Sequence, residues 1–283
     1  MGDWLELDPK TKEWATTAEP YTLPNTCIPN YDIKDVYCMH GPHDSDDFMT
    51  MKDREILYSH AWKIGHNSNR TGVRLVGPVP EWSRKDGGEG GSHPSNIFDY
   101  GYPSPGGINW GGDSAVIFSM DSPDLGGLLC SSTVISADLW RLGQVKPGGY
   151  LKLKPTTFEH ALELVDRVEG FITDVQALVG GKAEKIPTLD VTLPPSGIQE
   201  GTSNAIIRKI PADEHKFQVV YRQGGDCFLL VEIGKQTCDV RVTSRIRLLV
   251  QKLEALENLK LVMNPNIGCK QYFQSIRFPL TVY

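Results

Sequence analysis

The chain has 283 residues, of which 40% are hydrophobic and 23% charged, and a formal net charge of −6. That balance is ordinary for a soluble globular protein. It leaves no excess of Lys and Arg to neutralise phosphates, which argues against a general nucleic-acid or membrane-surface binder. The longest apolar runs, such as 115–118 and 228–231, are far too short to span a bilayer. The opening M-G-D-W-L-E-L-D lacks the basic-then-apolar pattern of a secretory leader and the small hydroxyl residue of a myristoylation site, so a cytoplasmic location is expected. Six cysteines at 27, 38, 130, 227, 238 and 269 show no two-residue spacing and read as reduced thiols, several of them buried as small hydrophobes.

In chain order, a helix is expected over 50–62, starting at a Thr cap and carrying Met51, Ile56, Leu57 and Trp62. Short β-rich runs bounded by Gly, Pro, Asp or Ser follow at 73–76, 115–120, 130–135 and 150–154. Residues 136–142 read as one short helix with a Ser cap and Gly143 as its stop. Phe158, Ala161, Leu162, Val165, Val168, Ile172 and Val175 recur at helical spacing, enough for about five turns. The stretch 181–215, with its clustered prolines and a G-T-S-N run, reads as a linker. Two apolar runs around a Gly-Gly-Asp turn predict a hairpin over 217–234. A second helical stripe runs through Val242, Ile246, Leu249, Val250, Leu253 and Leu256, and the last twenty residues show no period. The chain therefore reads as mainly β with a few helices, of barrel or sandwich type.

Residues 86–100, D-G-G-E-G-G-S-H-P-S-N-I-F-D-Y, are too polar to be core and place four glycines around one carboxylate. Four familiar arrangements fail here. A phosphate loop needs Lys and Ser or Thr after its last glycine, and Ser92-His93 stands there instead. A dinucleotide turn must open a helix, which Pro94 discourages. Zinc finds no ligand set at close spacing around His93, although His40 and His43 lie upstream. Ser92 or Ser95 with His93 lacks the strand–turn–helix elbow of a serine nucleophile. What remains is Asn67, Asn69 and Arg70 with Asp86, Glu89, His93 and Asn96. Carboxylates and amides suit a small neutral substrate rich in N–H groups, and an Arg with glycine amides suits a developing oxyanion or carboxylate. Those are the needs of acyl or carboxyl transfer. A structural ion pair is an equal reading for Arg70.

Four motifs then become recognisable: H-N-S-N-R-T-G-V-R-L-V-G-P (66–78), W-S-R-K-D-G-G-E-G-G-S-H-P-S-N (82–96), G-G-I-N-W-G-G-D (106–113) and I-S-A-D-L-W-R-L-G-Q-V-K-P-G (135–148). Together they resemble the carboxyltransferase domain of urea carboxylases, which in fungi is part of urea amidolyase. V-Y-R-Q-G-G-D-C-F-L-L-V-E-I-G (220–234) resembles the start of that domain's second half. The resemblance implies cyclophilin-like β-barrels that are incomplete here. Residues 1–35 are poorly matched, 36–180 form a first-half (subunit 2-like) barrel, 181–215 a linker, and 216–283 a truncated second half (subunit 1-like). It further implies transfer of a carboxyl group from biotin, carried on a separate domain or chain, to urea, giving allophanate. ATP would be used only in a biotin carboxylase domain that has no counterpart in this chain, and no metal is required. The implied partners are biotin carboxylase and biotin carrier domains or chains, and a chain completing the barrels. Carried over position by position, Arg70, Asp86, Glu89 and His93 become catalytic candidates, and Asn67, Asn96, Asp99 and Tyr100 substrate-binding ones. Two alternatives stay open: a non-catalytic homologue acting as a regulatory partner, in the manner of paired subunits that inhibit kinases or serve cyclic-amide hydrolases, and guanidine or another amide as acceptor.

Overall fold

The computed structural model describes residues 8–10, 13, 21–97, 105–121, 127–196, 205–234, 239–255, 262–268 and 271–277. The chain divides into two compact units, one of residues 1–30 with 167–191, the other of 31–166 with 192–283. A 22-residue helix, Phe158–Val179, belongs to both.

The larger unit is built on seven strands: β1 (Asp35–His40), β2 (Ala61–Ile64), β3 (Gly72–Val76), β4 (Gly107–Gly111), β5 (Ser114–Phe118), β6 (Leu129–Val134) and β7 (Tyr150–Pro155). They close into a barrel in the order β1-β6-β4-β5-β3-β2-β7, sealed by the parallel pairing of β1 with β7. The mainly β class is as expected, but the expected shortage of strands in this half is not found. Its physical reason is local. β2 is only A-W-K-I and directly follows helix α1 (Met51–Ser59), so Trp62 mimics one more helical position. β4 is flanked by glycines and reads as turn, and β1 lies between polar neighbours.

Inward-facing residues alternate along these strands, as a pleated ribbon requires. Trp62, Ile64, Ile108, Trp110, Ile117, Leu129, Leu151 and Leu153 are all fully buried and fill the interior. Each such side chain contributes about 1.5–3 kcal/mol through burial. The two central indoles also satisfy their N–H groups, Trp62 to the Leu57 carbonyl and Trp110 to Ser131 Oγ, both at 2.9 Å. Cys27, Cys38 and Cys130 are buried free thiols; burial pushes the Cys130 thiol up to about 12, which keeps it protonated and unreactive.

A five-stranded sheet in the order β11-β12-β10-β9-β8 follows, built from β8 (Ile206–Ile210), β9 (Val219–Gly224), β10 (Phe228–Ile233), β11 (Val262–Gly268) and β12 (Gln271–Arg277). The hairpin β9–β10 turns at Gly225, whose φ of +66° favours glycine. β8 pairs with β9 and lies inside the segment read as linker, so 181–215 is not linker throughout. Residues 136–142 form a 3₁₀ turn (Ser136–Asp138) leading into α2 (Leu139–Leu142), the long helix Phe158–Val179 is α3, and α4 (Val240–Glu254) starts at an Asp239 cap. Among the described residues no helix is long and apolar enough to cross a membrane.

Candidate functional site

The site starts at α1. Thr50 and Asp53 form a reciprocal capping box: Thr50 Oγ1 accepts the Asp53 amide at 3.1 Å, and Asp53 Oδ2 accepts the Thr50 amide at 3.0 Å. Asp53 is 3% exposed and does more than cap. Its Oδ1 accepts the Glu81 amide at 2.7 Å and its Oδ2 the Trp82 amide at 3.1 Å. Trp82 has a φ of +59°, the one positive value at a non-glycine among the described residues. That conformation costs about 1–2 kcal/mol in an L-residue, and strain of this kind clusters at functional sites.

The strained backbone aims the indole. Trp82 Nε1 donates to Asp113 Oδ1 at 3.2 Å, while the ring packs edge-on against Trp110 at 5.5 Å and against His93 at 6.0 Å between centroids. His93 Nε2 lies 3.3 Å from the same Asp113 oxygen. At the other ring nitrogen, Nδ1 accepts the Ser95 amide at 3.1 Å, so the ring proton sits on Nε2, facing Asp113. Asp113 Oδ2 has no partner among the described residues, and the side chain is about half exposed. Gly111 and Gly112 beside Asp113, and Gly88 on the loop, have nothing within 4 Å of where a Cβ would be. An open, side-chain-free rim thus borders a carboxylate oxygen.

Ser95 Oγ, 2.9 Å from His93 Nδ1, completes a line of hydroxyl, imidazole and carboxylate. It is no nucleophile. Ser95 is 0% exposed, and its own N–H occupies the ring nitrogen that a general base would use.

The loop carrying His93 is folded on itself. The Gly87 amide donates to the Gly91 carbonyl at 3.1 Å, and a Cβ on Gly87 would sit 2.7 Å from the His93 carbonyl oxygen. Arg84 stacks its guanidinium over Phe48 at 4.7 Å and donates to the carbonyls of Pro94, at 2.9 Å, and Asn96. Burial holds its pKa below the ordinary Arg value, with the Asp86 and Asp47 charges opposing. Arg84 is therefore spent on holding the loop.

The structure separates the residues picked out from the sequence into two groups. Asp86, His93 and Asn96 share the folded loop, with Glu89 in its 3₁₀ turn (Gly88–Gly90). Asp86 is exposed and accepts the Gly88 amide at 3.0 Å; Asn96 contributes mainly backbone, taking Arg84 at its carbonyl. Asn67 and Arg70 lie elsewhere, on the exposed turn between β2 and β3. Arg70 is 83% exposed, faces Asp121 at 3.5 Å, and has its carbonyl bonded by Ser119 Oγ. Asp121 follows β5, whereas Asp113 precedes it, and Gly72 pairs with Phe118 while Leu75 pairs with Ala115. Arg70 and His93 therefore sit toward opposite ends of β5, a strand about 13 Å long at 3.3 Å per residue. Asp99 and Tyr100 lie outside the described residues. Trp82 and Asp113 fall within the motifs quoted above without standing out among the candidates, and Asp53 is marked in the sequence only by its T-x-x-D spacing from the Thr50 cap.

Four similarities place the chain among known proteins. A family model described as carboxyltransferase domain, subdomain A and B, matches residues 1–155, including the first 35 that the motifs left unmatched. The urea amidolyase of Lachancea kluyveri is 40% identical over 238 residues, 82% of this chain and 12% of that protein. The urea amidolyase of Saccharomyces cerevisiae is 36% identical over 282 residues, covering 98% of this chain, its final stretch included, and 14% of that protein. The crystal structure of the Kluyveromyces lactis urea carboxylase superposes with a TM-score of 0.77 at 33% identity, over 92% of this chain and 22% of that one. The chain thus spans less than a quarter of the length of these relatives.

Proposed function

The chain belongs to the family of carboxyltransferase domains, subdomains A and B, and on that footing we propose that it serves the acceptor side of carboxyl transfer to urea, giving allophanate. Biotin, carried on a separate domain or chain, supplies the carboxyl group when bound. The observation that carries this reading is the Asp113 carboxylate, fixed through Oδ1 by Trp82 and open at Oδ2, beside His93. Oδ2 takes an N–H of urea and so turns the nitrogen lone pair toward the incoming carboxyl. The same oxygen receives the proton that the nitrogen gives up as its bond to the carboxyl carbon forms; the bond from that carbon to the biotin nitrogen would break at the same time, and the proton held on Asp113 would pass to the departing nitrogen. His93, protonated at Nε2, keeps Asp113 from turning away. The bare rim of Gly88, Gly111 and Gly112 leaves room for a ring to approach. Asp86 and Glu89 are proposed to flank the entrance, and Asn96 to set the loop. Asn67 and Arg70, at the far end of β5, have no part in this constellation. The biotin carboxylase and carrier functions, with their ATP, come from partner domains or chains.

The test is direct. The chain is mixed with carboxylated biotin carrier and urea, and allophanate is measured. Formation of allophanate by the wild type and its loss in Asp113→Asn is the expected result; no allophanate from the wild type supports the non-catalytic alternative. A faster reaction with guanidinium than with urea would reassign the acceptor.

A further inference from the structure

We infer that Asp53 is a positioning residue for this site, acting at a distance through the backbone of Trp82. The inference rests on the reading of Asp113 as the group that meets the acceptor. A helix cap needs one carboxylate oxygen on one amide, and the Thr50 contact supplies that. Asp53 instead saturates both oxygens with three amides, two of them 28 and 29 residues onward at Glu81 and Trp82. Those two bonds hold the chain where Trp82 takes its φ of +59°. Only with that turn does the indole reach Asp113 Oδ1 at 3.2 Å while filling the gap between Trp110 and His93. The carboxylate is 3% exposed, so water cannot substitute for either amide contact. Asparagine at 53 would keep one acceptor oxygen and turn an NH₂ toward amides that also donate. Trp82 would then relax to negative φ, its indole N–H would leave Asp113, and Asp113 would be free to swing from His93.

A capping role and a positioning role predict different things. Thr50→Ala removes the cap while leaving the Asp53 bonds to Glu81 and Trp82 in place. The experiment uses the full chain and compares hydrogen exchange at the Trp82 indole N–H, and the ¹⁵N signals of the His93 ring, in wild type, Thr50→Ala, Asp53→Asn and Trp82→Phe. Thr50→Ala is expected to lower the unfolding midpoint but to leave indole exchange and His93 unchanged. Asp53→Asn is expected to speed indole exchange about tenfold or more and to shift the His93 Nε2–H signal. Trp82→Phe, which keeps an aromatic ring and so preserves packing, is expected to shift the same His93 signal. Equal indole exchange in Thr50→Ala and Asp53→Asn would overturn the inference and leave Asp53 a cap. Should Asp53→Asn fail to fold, an unmoved His93 signal in Trp82→Phe overturns it as well. None of these readouts needs carboxyl transfer, so an inactive wild type with the expected exchange pattern would refute the transfer reading alone.

Discussion

Asp226, in the turn between β9 and β10, accepts the Ser136 amide on both oxygens at 3.0 Å and the Ser136 hydroxyl at 2.6 Å, across ninety residues of chain. This contact joins the five-stranded sheet to the barrel, together with the Gly225 amide on the His40 carbonyl at 3.3 Å. It has a pH signature. Burial raises the Asp226 pKa above the ordinary aspartate value, against the lowering effect of the Ser136 donors, and burial likewise raises that of Asp138 despite Arg141. A carboxyl whose folded pKa is raised holds its proton longer in the folded state. Stability is therefore lost as pH rises from about 3.9, the unfolded aspartate value, through the raised folded value. Asp226→Asn keeps Oδ1 for the Ser136 amide and cannot ionise. The variant should gain on wild type as pH rises from 4 to 7, read as the difference in their thermal midpoints. A difference that stays constant across that range would show that the Asp226 carboxyl is not raised.

The loop that carries His93 has almost no slack. Gly91 has a φ of +133°, and a Cβ there would lie 2.6 Å from Asn96 Nδ2; one on Gly87 would meet backbone carbonyls at 2.7 and 2.8 Å. Gly87→Ala must push the 93–96 segment outward, because carbonyl oxygens cannot rotate aside as a long side chain could. A destabilisation of about 1–3 kcal/mol is expected, with faster amide exchange confined to residues 86–97. Gly112→Ala meets open space but has a φ of +65°, so it should cost only the smaller backbone term of about 1 kcal/mol and leave the loop's exchange unchanged.

Arg70 and Asp113 stand near opposite ends of β5, one beside Asp121 after the strand and the other just before it. Arg70 forms a solvent-exposed pair with Asp121 at 3.5 Å, an arrangement worth about 0–1 kcal/mol. Arg70→Ala should leave allophanate formation within about twofold of wild type. Asp113→Asn should lower kcat by about 10²–10³, the scale seen when one preorganised polar contact to the reacting atoms is removed. The opposite ranking in a steady-state assay would move the site to the β2–β3 turn.

Much of this architecture was legible in the sequence, for identifiable reasons. The four β-rich runs lie within a residue or two of strands β3, β5, β6 and β7, because each carries apolar residues between turn formers. Thr50 marks its helix correctly since capping chemistry is local. Trp62 stands at helical spacing from Tyr58 and so extends the expected helix to residue 62, yet α1 stops at Ser59 and Trp62 enters β2. His93 stands out because its loop is so polar. Asp113 is hidden by the nineteen residues that separate it from His93, and Asp53 by the nature of its partners: backbone amides leave no trace in side-chain identity. Arg70 looked close to the His93 loop in sequence, but β3 runs between them and carries the chain to the other end of the barrel.

Trp110 ties the barrel core to the site, lying edge-on to Trp62 at 6.1 Å on one side and to Trp82 at 5.5 Å on the other. Its indole N–H and the Ser131 hydroxyl, both in residues 1% exposed, satisfy one another at 2.9 Å. Trp110→Phe keeps a ring in place but leaves the Ser131 hydroxyl without its donor, so it should destabilise by about 1–3 kcal/mol beyond the lost volume. Ser131→Ala alone strands the indole N–H and should cost a similar amount. In the double variant neither orphan remains, and the polar penalty is counted only once or not at all. Its destabilisation should fall short of the sum of the singles by about 0.5–3 kcal/mol, measured from denaturant midpoints. Strict additivity would mean that a water molecule takes over the bond in each single variant, and that Trp110 is held by packing alone.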